Sequence, residues 1–132
     1  MMGINPWAVL AAALSAFLLG GAWYSRALFQ RAWERAAGVD PTTLPRRHPA
    51  AVFGGAFVLS LLAAFVFALF LGPNPSLALG LGAGASAGLC WVAGSLGINY
   101  LFEGRSLALF LINGGYHVLQ FTLYGLILAL WH

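Results

Sequence analysis

The chain has 132 residues, of which 61% are hydrophobic and only 7% are charged. A soluble domain carries roughly 25% charged residues, so this composition excludes a small soluble protein and indicates an integral membrane protein. The single cysteine excludes an internal disulfide and any cysteine-rich zinc or iron–sulfur site.

Four apolar stretches are each long enough to cross a bilayer, which takes about 20 residues in a helix. They cover about residues 7–29, 49–71, 77–102 and 107–131. Asn5 is a suitable N-cap for the first helix, and Pro6 suits its first helical position. The connections at residues 72–76 and 103–106 are too short for anything but antiparallel neighbours. The sequence therefore predicts an all-α integral membrane protein with four transmembrane helices in an up-down-up-down bundle.

An amphipathic segment follows the first helix. In residues 26–37 the apolar and polar side chains separate onto two faces at about 100° per residue. We expect a short interfacial helix over about residues 30–37 that lies flat on the membrane, with Trp33 in the headgroup layer. Gly38 is placed to end this helix, and residues 40–43 are typical of a turn.

The six arginines and three acidic residues all lie in two connections, which an even number of helices separates and so places on one side. The positive-inside rule predicts that the charged connections lie in the cytoplasm and both termini outside. We expect the membrane to be the bacterial cytoplasmic (inner) membrane. Five arginines make the first connection basic and suit it to contact with anionic lipids or an acidic partner, although plain topogenic charge is the interpretation that we prefer. These residues are Arg26, Arg31, Arg35, Arg46 and Arg47. Nucleic-acid binding is excluded, since arginines on a membrane face make no groove-reading module.

Small residues mark one face of the third helix. Gly80, Gly84 and Gly88 repeat every four residues, a pattern typical of closely packed helices in lipid. The spacing leaves open whether the partner helix belongs to this chain or to another copy, as in a homo-oligomer. Trp91, near the middle of the same helix, is expected to pack inside the bundle.

A polar stripe marks the fourth helix. Asn113, His117, Gln120 and Tyr124 are spaced by four, three and four residues, so they share one face, which Tyr116 flanks. Such groups are costly in hydrocarbon and must point into the bundle or a wet cavity. The polar residues on neighbouring helices that we expect to meet the stripe are Ser15, Ser95, Asn99 and Tyr100.

The stripe has three interpretations. The first is a set of interhelical hydrogen bonds. The second is a polar pathway or small binding site in which His117 exchanges protons. In the third, His117 is an axial ligand for a haem or related macrocycle. A bis-histidine site would need a second embedded histidine, whereas His48 and His132 lie at opposite interfaces. We predict no metal site and no resident cofactor, and keep the macrocycle as a minor option.

Several short motifs carry a resemblance to a known family. Asn5-Pro6-Trp7 opens the first helix, the letters GGAWYS at residues 20–25 close it, and Phe29 and Trp33 follow. The letters LFEGR at residues 101–105 and INGGYH at residues 112–117 continue the pattern. Together they resemble the small bacterial and fungal membrane proteins catalogued as domain of unknown function family 1761. The resemblance covers nearly the whole chain and implies a four-helix membrane protein, but it implies no activity.

Two functions remain after these exclusions. The first is a non-catalytic membrane module, either a homo-oligomer or an accessory subunit of a larger membrane complex. The alternative is a small transporter or channel for a polar or protonatable solute, with a path lined by polar residues of the third and fourth helices. The chain has no Ser–His–acid set, carboxylate pair, phosphate-binding loop or His-x-x-x-His pair, so an enzyme is the least favoured class. The sequence identifies no ligand, no partner and no oligomeric number.

Overall fold

The computed structural model describes residues 3–39 and 47–132. Within these residues the structure is helical and contains no β-strand, which confirms the all-α prediction. The helices are α1 (Pro6–Trp23), α2 (Gln30–Ala37), α3 (Pro49–Leu71), α4 (Leu77–Glu103) and α5 (Leu107–Leu130). α4 is continuous, but it changes from α-helix to π-helix over Ala87–Ala93 and then back.

Side-chain caps begin several of these helices. Asn5 Oδ1 accepts a hydrogen bond from the amide of Trp7 at 3.0 Å, and Pro6 occupies the first position of α1. The hydroxyl oxygens of Ser76 and Ser106 accept amides three residues later, at 3.0 Å and 3.2 Å, where α4 and α5 start. Each such cap stabilises its helix by about 1 kcal/mol, so the short connections before α4 and α5 lead into well-defined helix starts.

The first helix is shorter than predicted, because α1 ends at Trp23 and not near residue 29. The indole Nε1 of Trp23 donates to Ile112 O of α5 at 2.9 Å, and the Tyr24 hydroxyl donates to Asn113 Oδ1 at 2.6 Å. These tertiary bonds hold the end of α1 against α5. The backbone then folds into turns in which the amide of Phe29 donates to Trp23 O at 3.1 Å.

The short helix α2 packs against α5. The Trp33 ring is half-buried and meets the Tyr24 ring edge-on, with centroids 6.4 Å apart. Gly38 follows the helix with a φ of 69°, a left-handed conformation that glycine adopts without steric cost. The turn predicted for residues 40–43 lies outside the described residues.

Among the residues that the structure describes, three helices, α1, α3 and α4, are long and apolar enough to cross a membrane, as judged from length and composition. α5 has 24 residues, which is long enough, but it is not among them. Its polar stripe lowers its hydropathy, because Asn113, His117 and Gln120 fall within the middle of the helix. The three apolar helices indicate a membrane protein.

α5 is the central helix of the packing. It runs along α4 on one side and α1 on the other, and α1 packs in turn against α3. An alanine face on α1 makes these contacts close, since Ala8, Ala12, Ala13 and Ala16 are all fully buried. Against this face lie Ala64 and Phe67 of α3 and Tyr124 and Leu128 of α5, which form the core with it.

The glycine row of α4 faces α5 of the same chain. A Cβ on Gly80 would collide with the backbone oxygen of Gly125, and one on Gly84 with that of Phe121. A Cβ on Gly88 would lie 2.6 Å from His117 O. Because these neighbours are backbone atoms, they cannot rotate away. The row is therefore an intramolecular contact, which answers the question that its spacing leaves open.

The π-helical segment shifts this row by one residue. After Gly88, the next small residues facing α5 are Ala93, against Gly114, and Gly97, whose added Cβ would lie 3.0 Å from the Phe110 ring. A regular α-helix would bring residue 92 to that face, whereas the extra residue of the π turn brings Ala93. Trp91 is turned outward and is 66% exposed, so the expectation that it packs inside is wrong.

Candidate functional site

Four side chains on α5 and α3 form a continuous chain of hydrogen bonds between the helices. His117 Nδ1 lies 2.6 Å from Gln120 Oε1, and Gln120 Nε2 donates to the Tyr124 hydroxyl at 2.7 Å. The Tyr124 hydroxyl lies 2.7 Å from Ser60 Oγ of α3, which donates to Ala13 O of α1 at 3.2 Å. We call these side chains, His117, Gln120, Tyr124 and Ser60, the buried chain. It links α5 to α3 and α1.

The Tyr124 hydroxyl has two oxygens of Ser60 within reach. It lies 2.7 Å from Ser60 Oγ, where either hydroxyl can be the donor, and it donates to the backbone oxygen of Ser60 at 3.3 Å. The Gln120 amide nitrogen donates to Tyr124, so the Gln120 carbonyl oxygen is turned to His117. The tautomer of His117 decides whether its Nδ1 donates in that contact.

The surroundings of Tyr124 exclude water and lipid. Its side chain is fully buried, and the Phe67 and Phe121 rings lie against it at centroid distances of 6.5 Å and 5.0 Å. A buried hydroxyl without a partner costs about 1–3 kcal/mol. Within the described residues every fully buried side-chain nitrogen or oxygen has a hydrogen-bond partner. The buried chain therefore satisfies the polar groups that it introduces.

A second cluster joins three helices near the end of α1. Asn113 Oδ1 accepts from the Tyr24 hydroxyl at 2.6 Å, and Asn113 Nδ2 donates to the Tyr100 hydroxyl of α4 at 2.8 Å. Burial raises the pKa of Tyr24, and its neighbours Tyr116 and Tyr100 raise it further. Tyr24 therefore stays protonated at physiological pH and remains a donor. We call Tyr24, Tyr100 and Asn113 the inner cluster.

A row of aromatic rings connects α2 to the histidine. From Trp33 the row passes through Tyr24 and Tyr116 to His117, with the last two steps at centroid distances of 5.7 Å and 5.0 Å. The Tyr116 hydroxyl also donates to Ala16 O of α1 at 2.9 Å. Tyr116 therefore packs between the inner cluster and the buried chain and holds α1 against α5.

Some residues expected to meet the polar stripe lie elsewhere. The Ser15 hydroxyl donates to Ala12 O of its own helix at 2.7 Å. Ser95 and Asn99 are on the exposed side of α4. The π turn contributes to this result, because it changes which residues of α4 face α5. Of the expected partners, only Tyr100 reaches the stripe.

The sequence reasoning missed Ser60, which joins α3 to the stripe. A signal was available, since Ser60 is the single hydroxyl-bearing residue in α3, whose other residues are apolar apart from glycine. Tyr24 was also not among the residues expected to meet the stripe, although its hydroxyl donates to Asn113 Oδ1. An isolated polar residue in the middle of an apolar helix needs a partner in the same way as a stripe does.

The arginines of the first connection are at the surface. Arg26, Arg31, Arg35 and Arg47 are exposed, and Arg46 lies outside the described residues. In the connection between α4 and α5, Arg105 Nε bonds Glu103 at 3.2 Å and Arg105 Nη1 donates to Ala37 O at 2.9 Å. Arg105 thereby ties the end of α2 to this connection.

The remaining features offer little chemistry. Among the described residues, no group of three His, Cys, Asp or Glu side chains is placed to hold a metal ion. An open cavity of about 350 Å³ lies between α3 and α4, with apolar walls that include Phe67, Phe70 and Trp91. The exposed Cys90 borders it, without a neighbouring base to activate the thiol among its lining residues.

Comparison with known proteins gives one match. Neither a curated protein nor a solved structure matches the chain. Residues 7–129 match the family model described as protein of unknown function (DUF1761). This match covers most of the chain and includes both the buried chain and the inner cluster. The protein belongs to the DUF1761 family.

Proposed function

We propose that the protein is a non-catalytic integral membrane module in which α1, α3, α4 and α5 cross the bilayer in alternating directions. The observation that carries the proposal is the buried chain, in which His117, Gln120, Tyr124 and Ser60 bond to one another across α5 and α3. In this arrangement the polar side chains hold the helices together. The matched family model assigns no activity to the chain.

The hydrogen bonds also support insertion of α5. Its polar residues make it the least apolar of the long helices, yet Asn113, Gln120 and Tyr124 each have partners on other residues of the protein. A polar side chain that is bonded inside the bundle avoids most of its cost in hydrocarbon. Helix α5 therefore suits a central position with α1 and α4 between it and the lipid.

The charges support one orientation. The charged residues lie in the α1–α3 and α4–α5 connections, and Arg105 bonds Ala37 O, so the two connections are in contact. By the positive-inside rule this charged side is cytoplasmic and both termini are outside, in a bacterial inner membrane. The exposed arginines Arg26, Arg31 and Arg35 then lie near the anionic headgroups of the inner leaflet.

The module is proposed to assemble with a second copy or with a larger membrane complex. The glycine row of α4 is occupied by α5, so the surface that supports assembly is the outer face of α3. Gly54 and Gly55 have open space there, and Phe53 and Leu59 are 60% and 68% exposed. Small residues beside large apolar ones suit close helix contacts in lipid.

Native mass spectrometry of the mildly extracted protein tests this assembly. We expect a species heavier than one chain, and Gly54→Leu should shift it toward the monomer because the larger side chain keeps a neighbouring helix away. Gly21→Leu is the matched control, since Gly21 on α1 also has open space and is exposed. A stable monomer without partners in the unaltered protein would refute the proposal.

The alternative is a small transporter or channel for a polar or protonatable solute. One observation favours it, namely that His117 is only half-buried and that its Nε2 has no partner among the described residues. The buried chain itself does not support a proton path, because it passes through an amide and ends at Ala13 O. Flux of candidate solutes into proteoliposomes tests this function. Loss of flux in His117→Ala with retained helicity would favour transport, and an unchanged rate would oppose it.

A further inference from the structure

An open hollow of about 300 Å³ lies where α4 and α5 approach their connection. We call it the connection hollow. Its apolar walls are Gly97 and Leu101 of α4 and Leu107 and Phe110 of α5. The Phe110 ring lies so close to Gly97 that an added Cβ would be 3.0 Å from it, whereas Leu101 and Leu107 are exposed. The hollow therefore opens from the helix pair toward its surroundings.

The end of the hollow at the connection is polar. Arg105 and Ser106 line it there, and the Arg105 side chain is 41% exposed. The guanidinium is held in place, because Nε bonds Glu103 at 3.2 Å and Nη1 donates to Ala37 O at 2.9 Å. An arginine has five N–H groups, so these two bonds leave three without a partner among the described residues. The hollow thus combines apolar walls with a positioned cation at one end.

The order of these groups along the helices matches the order of the groups in a phospholipid. Gly97 precedes the last residue of α4 by six positions, which places it about 9 Å from the connection at a rise of about 1.5 Å per residue. With α4 and α5 across the bilayer, as the proposed function has them, Arg105 lies at the depth of the headgroups. Gly97, with the Phe110 ring against it, then lies at the depth of the acyl chains.

We infer that the connection hollow binds one phospholipid, with the phosphate on Arg105 and an acyl chain along Leu107 and Phe110. Glu103 neutralises part of the arginine charge, which weakens a diffuse attraction to a negative surface. A phosphate still accepts several N–H groups of Arg105 in short, charge-assisted hydrogen bonds. Since the guanidinium is already positioned, little of its freedom is lost on binding. The inference rests on the proposed placement of α4 and α5 in the bilayer and not on the proposed assembly.

Three probes separate the role of the phosphate from that of the hydrocarbon. The full chain is extracted in mild detergent and titrated with phosphatidylglycerol, with diacylglycerol of the same chains, or with glycerol phosphate. Native mass spectrometry counts the molecules that each chain retains. We expect one phosphatidylglycerol per chain and neither of the other two, because diacylglycerol lacks the phosphate and glycerol phosphate lacks the chains. Equal retention of diacylglycerol, or displacement of the phospholipid by glycerol phosphate, would overturn the inference.

Substitution of Arg105 tests the polar end of the hollow. Arg105→Gln should weaken the retention of phosphatidylglycerol about fivefold or more, the usual contribution of one basic residue at a lipid surface. Arg105→Lys should restore most of the retention, because it keeps the charge. Arg47→Gln is the matched control, since Arg47 is exposed on the same side of the membrane and does not line the hollow. An equal loss in Arg47→Gln and Arg105→Gln would indicate general charge attraction and refute the site.

A second pair of variants leaves Arg105 and its bond to Ala37 O intact. Leu107→Trp fills the hollow with a larger side chain and should lower retention at least as much as Arg105→Gln does. Leu111→Trp is its control, because Leu111 is an exposed residue of α5 outside the hollow. Circular dichroism verifies that each variant keeps its helicity, and unchanged retention in Leu107→Trp would contradict the inference.

The same spectra separate this inference from the proposed assembly, because the mass of the lipid-free protein reports the number of chains. A monomer that retains phosphatidylglycerol would support the phospholipid site and refute the assembly. An assembled protein that retains none would refute the phospholipid site and leave the assembly standing.

Discussion

Gly84→Ala is the substitution that most directly tests the packing of α4 on α5. The added Cβ would collide with Phe121 O and lie 3.0 Å from the Thr122 Cα, both of which are backbone atoms. No side-chain rotation relieves this overlap, so the two helices must separate by about 1 Å. Each van der Waals contact across the gap then loses about a quarter to a half of its energy. We expect a net loss of about 1–3 kcal/mol in the free energy of unfolding.

Gly82→Ala is the matched control, two positions away on the same helix. A Cβ on Gly82 meets nothing within 4 Å, and the residue is exposed. Alanine is the better helix former by about 1 kcal/mol, so this variant should be as stable as the unaltered protein or slightly more stable. Unfolding of both variants by sodium dodecyl sulfate in mixed micelles, followed by circular dichroism, measures the difference. If the two variants have equal stability, the close α4–α5 contact is refuted.

Three further substitutions test the hydrogen bonds. Tyr124→Phe leaves Gln120 Nε2 without its acceptor and should cost about 0.6–1.7 kcal/mol in the same unfolding assay; no loss would show that the bond contributes nothing. Asn113→Leu removes both bonds of the inner cluster and should speed amide exchange in the turns after α1, with exchange in the middle of α3 unchanged as the internal control. Arg105→Gln breaks the contact with Ala37 O, so α2 should exchange faster while the global free energy of unfolding changes by less than about 0.5 kcal/mol; a larger global loss would contradict the surface position of Arg105.

Much of the secondary structure follows from local pattern. Apolar runs bounded by proline, glycine and capping residues indicate the long helices, because each signal acts within a few residues of the chain. The polar stripe is equally local, since spacings of three and four residues place Asn113, His117 and Gln120 on one face of any α-helix. That these groups bond to one another and to neighbouring helices, and do not face lipid, follows from the cost of the alternative.

The features that escaped prediction depend on the partner helix. The end of α1 at Trp23 is due to bonds with Ile112 O and Asn113, which are far away in sequence. The outward position of Trp91 is due to a π turn, which brings Ala93 to the surface of α5 in place of residue 92. A helical projection assumes an uninterrupted α-helix, so it assigns every residue after such a turn to the wrong face.

The distribution of polar groups makes α5 dependent on the helices that precede it in the chain. Its stripe lowers its hydropathy, and the side chains outside α5 that bond to the stripe are Tyr24 after α1, Ser60 on α3 and Tyr100 on α4. All three partners precede α5 in the chain, so they are synthesised before it. Ser60 therefore links three helices, since its hydroxyl lies 2.7 Å from the Tyr124 hydroxyl of α5 and donates to Ala13 O of α1 at 3.2 Å.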